Sequence, residues 1–155
     1  MRVMDREPLT YAFSLRSDIS ELQTLGRRLE SIGAELKLSK RCLFELNLAL
    51  DELFTNIITY GFDDGGEHRI EVTIAAAEQM LEVTVEDDGV AFNPIDRHPP
   101  CLPIWLVDGG LGGLGIHLLR NLMDEVCYRR EGQKNILTLR KKIETISSHP
   151  NDICS

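Results

Sequence analysis

The stretch ALDELFTNIITYGF, residues 49–62, predicts the second half of a long amphipathic helix. Ser39 is a suitable N-cap for this helix, and Gly61 marks its end. Glu52 and Asn56 are four residues apart, so their side chains project from the same face. The apolar stripe recurs at helical steps and consists of Leu43, Leu46, Leu50, Leu53 and Ile57.

The Glu52–Asn56 pair places a carboxylate next to an amide oxygen. Mg²⁺ prefers oxygen ligands and retains several waters, so such a pair suits a magnesium ion bound through few protein groups. The carboxylate could alternatively accept a proton in catalysis. A solvated helix face that binds nothing is the simplest alternative.

On the N-terminal side of the long helix, the sequence predicts a strand and a first helix. Residues 9–15 alternate between apolar and polar, which is the period of a strand with one buried face. Asp18 followed by Glu21 predicts a capping box at the start of an amphipathic helix. On the C-terminal side, alternation at 70–74 and 81–86 predicts two strands that pair antiparallel through a short turn.

The second of these strands runs into DDGVAFNP, residues 87–94. The pleat fixes the direction of a carboxylate at a strand end, so Asp87 can accept a hydrogen bond from an exocyclic amine. Gly89 lets a flat ring approach the backbone. A tight Asp-Gly turn is the alternative interpretation of the same residues.

A glycine-rich run, GGLGGLG at residues 109–115, leads into a predicted helix that starts near Gly113 and extends to Val126. Accessible amides at a helix N-terminus can bind phosphate, although a flexible hinge would have the same composition. Before this run, residues 92–111 show no periodicity. After it, a last hairpin pairs 126–130 with 135–141.

The predicted order is strand, helix, helix, strand, strand, loop, helix, strand, strand. Strands and helices do not alternate regularly, which disfavours a doubly wound parallel sheet. The order predicts an α+β fold instead: a two-layer α/β sandwich with helices on one face of a mixed, mostly antiparallel sheet.

Composition narrows the functional classes. The chain of 155 residues has a formal net charge of -8, which disfavours nucleic acid and anionic membranes as partners. Its 4 cysteines form no CxxC pair, so neither a zinc site nor a disulfide framework is expected. The sequence shows neither a signal peptide nor a membrane span, and we therefore expect a cytoplasmic protein.

The oxygen pair, the strand-end carboxylate and the glycine run together describe a site for ATP with magnesium. ELFTN, EDDG and GGLGI resemble the N box and the two glycine boxes of the GHKL ATPase superfamily, over roughly residues 9–142. The compact size and the runs ALDELFTNIITYGF, DDGVAFNP, GGLGIHLLRNLMDEV and NILTLRK are most similar to the RsbW and SpoIIAB type, the anti-sigma factor serine/threonine kinases.

This resemblance implies the Bergerat α/β sandwich and a role for each matching residue. Asn56 would hold the Mg²⁺ that bridges the phosphates, and Glu52 would be the general base. Asp87 would bind the adenine amino group, with Gly89 beneath the ring. Ala91 departs from the second glycine that the wider superfamily often has at this position.

The resemblance also implies one ATP-binding kinase domain, residues 1–142, followed by a C-terminal tail, residues 143–155. An ATP lid would cover residues 95–114. The glycines that hinge this lid and offer amides to the phosphates would be Gly112, Gly113 and Gly115. Asn135 stands where many relatives have threonine, and we leave it out of the predicted site.

The implied substrate is a serine on a STAS-domain anti-sigma factor antagonist, and the other implied partner is a sigma factor. Homodimers are usual in this family. No phosphoacceptor helix of a histidine kinase is recognisable around the 4 histidines, which disfavours two-component autophosphorylation. A nucleotide-dependent binding switch without transfer chemistry, and an ATP-binding subunit in a phosphatase pathway, are the alternatives.

Overall fold

The computed structural model describes residues 8–91, 119 and 121–143, which build a sheet with two long helices packed against one face. The elements are β1 Leu9–Arg16, α1 Glu21–Glu35, α2 Lys40–Tyr60, β2 Arg69–Ala77, β3 Met80–Asp87, β4 Glu125–Glu131 and β5 Lys134–Lys142. No helix in these described ranges is long and apolar enough to cross a membrane.

The five strands lie in the order β1-β2-β3-β5-β4, and each neighbouring pair is antiparallel. The chain thus leaves the sheet after β3 and returns to its edge with β4, which places β5 beside β3. The predicted α+β sandwich is confirmed, and every pairing among the described strands is antiparallel.

The helix-facing side of the sheet forms the core because the strands alternate with period two. In the register of β2 and β3, Val72 lies opposite Val85 and Ile74 opposite Val83, and all four side chains are buried. The helix side of this core is supplied largely by α2, through Leu46, Ala49, Leu50, Leu53, Phe54 and Ile57.

The predicted cap of α2 is confirmed, whereas the capping box of α1 is wrong. Ser39 Oγ accepts a hydrogen bond from the Cys42 amide at 3.1 Å. At α1 the N-cap is Ser20, without a side-chain cap, and Asp18 instead accepts from the Ser20 amide at 3.0 Å. Glu21 is the first helical residue, and its carboxylate accepts from the amide of Arg16 rather than from that of Asp18.

The helix predicted to start near Gly113 is described only at Leu119 and residues 121–122. Its predicted extension to Val126 is wrong, because Val126 lies in β4 and pairs with Leu139; the predicted hairpin of 126–130 with 135–141 is confirmed. Val126 fits both the apolar spacing of the helix and the start of the strand, so the local pattern alone does not decide its position.

A buried lysine fastens the sheet to two helices. Lys141 is 8% exposed, and its ammonium donates to Glu45 Oε2 of α2 at 2.6 Å and to the Leu122 carbonyl at 2.6 Å. The bond from Lys141 is the main reason that the pKa of Glu45 is lowered, with Arg41 as the second cause. The pair fixes the first half of α2 against the end of β5.

The C-terminal part of the chain is described only at its start. Ile143, the first residue of the predicted tail, is buried, and its amide donates to the Gln79 carbonyl at 2.8 Å. Residues 144–155 lie outside the described residues, as does the predicted lid at residues 95–114.

Candidate functional site

The second half of α2 lies over the end of β3 and the start of β5. Leu53, Ile57 and Gly61 recur at intervals of four and line a cavity with Asp87, Tyr128, Asn135 and Leu137. This cavity measures ≈ 20 Å³, which is room for about one water. A purine ring is much larger, so a base enters this cavity only if its lining side chains move apart.

Asp87 is the polar end of an otherwise apolar strand face. It is 6% exposed, and its Oδ1 accepts from the Gly89 amide at 2.9 Å and from Asn135 Nδ2 at 2.9 Å. Burial raises the pKa of Asp87, while the hydrogen bonds from Asn135 and Gly89 act in the opposite direction. Oδ2 makes no hydrogen bond within the described ranges, which leaves it available to a donor on a ligand.

Gly89 is required by a close approach of two backbone segments. A Cβ at this position would lie 2.2 Å from the Gly61 carbonyl oxygen and 2.9 Å from Asp87 Oδ1. The next amide, of Val90, donates to the Gly61 carbonyl at 2.8 Å. The Asp-Gly turn is therefore no hairpin: it fastens the end of β3 to the end of α2. The ring contact predicted for Gly89 stays a prediction.

Asn56 lies on α2 with its side chain buried at 3% exposure. Its Nδ2 has no hydrogen-bond partner among the described residues. Such groups are rare, and each costs about 1–3 kcal/mol of desolvation, so a buried unpaired Nδ2 points to an acceptor that a bound ligand or a water supplies. The solvated-face alternative is wrong for Asn56.

Glu52 lies one helical turn before Asn56 and is half-buried. Burial raises its pKa, and the charge of the adjacent Asp51 adds to the effect. A carboxyl group with a raised pKa holds a proton more readily, which is what a general base needs.

The residues present also fit a magnesium ion. Across residues 8–91, 119 and 121–143, no group of three or more His, Cys, Asp or Glu side chains is placed to hold a metal. On α2, the side-chain oxygens of Asn56 and Glu52 are the ligands that such an ion would use. Mg²⁺ is commonly bound in this way, through one or two protein oxygens, waters and substrate phosphates.

Asn135 belongs to the site although the sequence prediction leaves it out. It lies opposite Asp87 in the β3–β5 register and is 5% exposed. The sequence carries one signal for it: Asn135, Leu137 and Leu139 share a strand face, and an amide at a core position needs a buried polar partner.

A histidine links the loop after α2 to Asp88, the residue next to Asp87. His68 bonds Asp64 through Nε2 at 2.8 Å and Asp88 through Nδ1 at 2.9 Å. Its ring stacks on Phe62 with a centroid distance of 4.2 Å. The bond to Asp64 is the main cause that raises the pKa of His68.

The structure thus joins Asp87, Gly89 and Asn135 at one end of the sheet and places Glu52 and Asn56 on the helix above. The three predicted lid glycines, Gly112, Gly113 and Gly115, lie outside the described residues.

The profile of the family described as "Histidine kinase-like ATPase domain" matches residues 15–141. The chain belongs to this family. The serine/threonine-protein kinase BtrW of Bordetella bronchiseptica is 32% identical over 111 residues, 72% of this chain and 78% of that protein. The serine-protein kinase RsbW of Listeria monocytogenes is 32% identical over 126 residues, 76% of this chain and 79% of that protein.

The solved structure of the RsbU and RsbW domains of Rv1364c from Mycobacterium tuberculosis has the same fold. It superposes with a TM-score of 0.63 at 16% identity and covers 90% of this chain. This chain spans 35% of that protein. The resemblance inferred from the ELFTN, EDDG and GGLGI boxes is confirmed: within the histidine kinase-like ATPase family, the chain is an RsbW-type serine/threonine-protein kinase.

Proposed function

We propose that this chain transfers the γ-phosphoryl group of ATP to a serine on a STAS-domain anti-sigma factor antagonist, and so regulates a sigma factor. The observation that carries the proposal is the buried Asn56 amide, whose Nδ2 is unpaired within the described residues, one turn from Glu52. An unpaired Nδ2 donor supports an oxygen acceptor next to α2, such as a phosphate oxygen of a bound nucleotide.

In this proposal, Asp87 binds the nucleotide base. Its Oδ2 accepts the exocyclic amino group of adenine, while Oδ1 stays bonded to Gly89 and Asn135. Asn56 and Glu52 lie nearer the phosphates. When bound, Mg²⁺ neutralises charge on the phosphates, and Asn56 is the side chain that would hold it. The predicted lid glycines Gly112, Gly113 and Gly115 would offer their amides to the same phosphates.

Glu52 accepts the proton of the serine hydroxyl as the serine oxygen attacks the γ-phosphorus. The bond between that phosphorus and the bridging oxygen breaks, and ADP leaves with the electron pair. Phosphoryl transfer depends mainly on positioning and charge neutralisation, so one base and a preformed site suffice. The pKa of Glu52, raised by burial, brings this base closer to neutral pH.

The choice of serine as the acceptor rests on the relatives. Both proteins compared above are named as serine or serine/threonine-protein kinases, which supports serine as the acceptor. The STAS-domain antagonist, the sigma factor and a homodimer are what the sequence resemblance implies, and we propose all three for this chain.

Two variants separate binding from transfer. Glu52→Gln keeps the size of the side chain but accepts no proton, so transfer falls on the order of 10²–10⁴-fold with little change in ATP affinity. Asp87→Asn puts an amide where the adenine amino group needs an acceptor, so ATP affinity falls about 10- to 100-fold. Calorimetry measures the affinity, and mass spectrometry measures phosphate on a STAS-domain protein after incubation with ATP and Mg²⁺.

The outcomes distinguish a kinase from a nucleotide-dependent binding switch. One added phosphate on the STAS-domain protein, lost with Glu52→Gln, supports the kinase. An ATP-dependent complex without added phosphate supports the binding switch instead. Absence of heat with ATP at millimolar concentration would refute the nucleotide site altogether.

A further inference from the structure

The amide of Asn135 connects the last hairpin to the strand end that carries Asp87. Its Oδ1 accepts from the Tyr128 hydroxyl at 2.6 Å and from Arg130 Nη1 at 2.9 Å. Its Nδ2 donates to Asp87 Oδ1 at 2.9 Å and to the Val90 carbonyl at 2.8 Å. The amide therefore uses both its acceptor positions and both its donor positions.

These partners fix the orientation of the amide. A flip of the side chain would turn its NH₂ group toward Arg130, which has only donors, and its oxygen toward the Asp87 carboxylate. Both contacts would become repulsive, and the one with Asp87 is buried. Arg130 therefore favours the same orientation of Asn135 as the Asp87 carboxylate and the Val90 carbonyl do, and Tyr128 donates to the Oδ1 that this orientation presents.

Arg130 also holds the backbone next to Asp87. The same Nη1 donates to the Gly89 carbonyl at 2.8 Å, and the Gly89 amide donates to Asp87 Oδ1. One guanidinium thus acts on both groups that bond Oδ1, namely the Asn135 amide and the main chain at Gly89. With Oδ1 engaged twice, Oδ2 is the oxygen left for a ligand.

We propose that Tyr128 and Arg130 are positioning residues for base selectivity, which act through Asn135 to keep Asp87 Oδ2 as an acceptor for an exocyclic amine. The inference rests on the proposed ATP site. A 6-aminopurine donates to this oxygen, whereas a 6-oxopurine presents a carbonyl oxygen that the carboxylate repels. The hairpin residues then set the preference for adenine without touching the base.

The test compares affinities for ATP and for inosine triphosphate, in which a carbonyl replaces the 6-amino group and the adjacent N1 carries a proton. Calorimetry gives Kd for wild type, Tyr128→Phe, Arg130→Met and the double variant. Arg129→Met is the matched control: it removes the same charge from the neighbouring residue of β4, where Arg129 pairs with exposed Glu131 at 3.5 Å.

Wild type binds ATP more tightly than the inosine nucleotide. The double variant reduces this preference by about tenfold, mainly through weaker ATP binding, which corresponds to one weakened hydrogen bond to a charged group. Tyr128→Phe removes only a hydroxyl and gives a smaller reduction, so it tests the inference even if the double variant fails to fold. Arg129→Met leaves the ratio unchanged.

Equal loss of affinity for both nucleotides would mean a merely structural role and overturn the inference. An unchanged ratio in Tyr128→Phe and Arg130→Met would do the same, as would a wild type that binds both nucleotides equally. If wild type binds neither nucleotide, the ATP site itself is wrong, and the two failures are thereby distinguished.

Discussion

Gly89→Ala should destabilise the fold through a single steric contact. The new Cβ would lie 2.2 Å from the Gly61 carbonyl oxygen, which also accepts the Val90 amide at 2.8 Å. The end of β3 must therefore move away from the end of α2. Overpacking of this kind costs about 1–3 kcal/mol, and weakening the Val90 bond adds about 1 kcal/mol.

The free energy of unfolding should thus fall by about 2–4 kcal/mol, a large share of the roughly 5–15 kcal/mol typical of a domain. Urea denaturation measures this as a midpoint lowered by about 1–2 M at an ordinary m value. Gly26→Ala is the matched control: no atom lies within 4 Å of its new Cβ, and the residue is in α1. Alanine there should stabilise by up to about 1 kcal/mol.

The same substitution should thus lower the free energy of unfolding at Gly89 and raise it at Gly26. If Gly89→Ala stays within about 0.5 kcal/mol of wild type, the close approach of the two backbone segments is not what requires glycine.

Two further predictions concern the groups that fasten α2 and the loop after it. Lys141→Met leaves Glu45 without its main partner, so the free energy of unfolding measured in urea should fall by about 1–3 kcal/mol. The control, Lys142→Met at an exposed residue, should change it by no more than about 0.5 kcal/mol. Equal losses in the two variants would count against the buried bond. Because the hydrogen bond that His68 donates to Asp64 raises the folded pKa of His68 above its unfolded value, the pair stabilises fully below about pH 6.5, and its contribution is lost as pH rises through the folded pKa. Unfolding at a series of pH values should show this loss in wild type and not in His68→Gln, and a parallel slope in both would refute it.

Much of the fold follows from local pattern. The stripe of α2 and its Ser39 cap depend on neighbours within a few residues, so periodicity predicts them. The predicted capping box at Asp18 is wrong because the local pattern does not determine at which residue the helix begins. The local pattern places Val126 both at the end of a helix and at the start of the last hairpin, and its pairing with Leu139 shows that the hairpin is right.

The sequence predicts the residue types of the candidate site better than it predicts the contacts among those residues. Glu52 and Asn56 share a helix, so their common face follows from spacing alone. The unpaired state of the Asn56 amide depends on what surrounds it in the folded chain. The spacing therefore predicts that Glu52 and Asn56 could bind a ligand together, and the burial of Asn56 distinguishes this interpretation from a solvated helix face.

The sequence by itself determined the elements, the family and the residues that we propose bind ATP, because these depend on short-range periodicity and on compact motifs. Only the tertiary structure decided that Asp87 meets Asn135, 48 residues away, and that Gly89 meets the end of α2. Strand register and helix placement set these contacts, and both come from the summed packing of the whole core rather than from any local stretch of sequence.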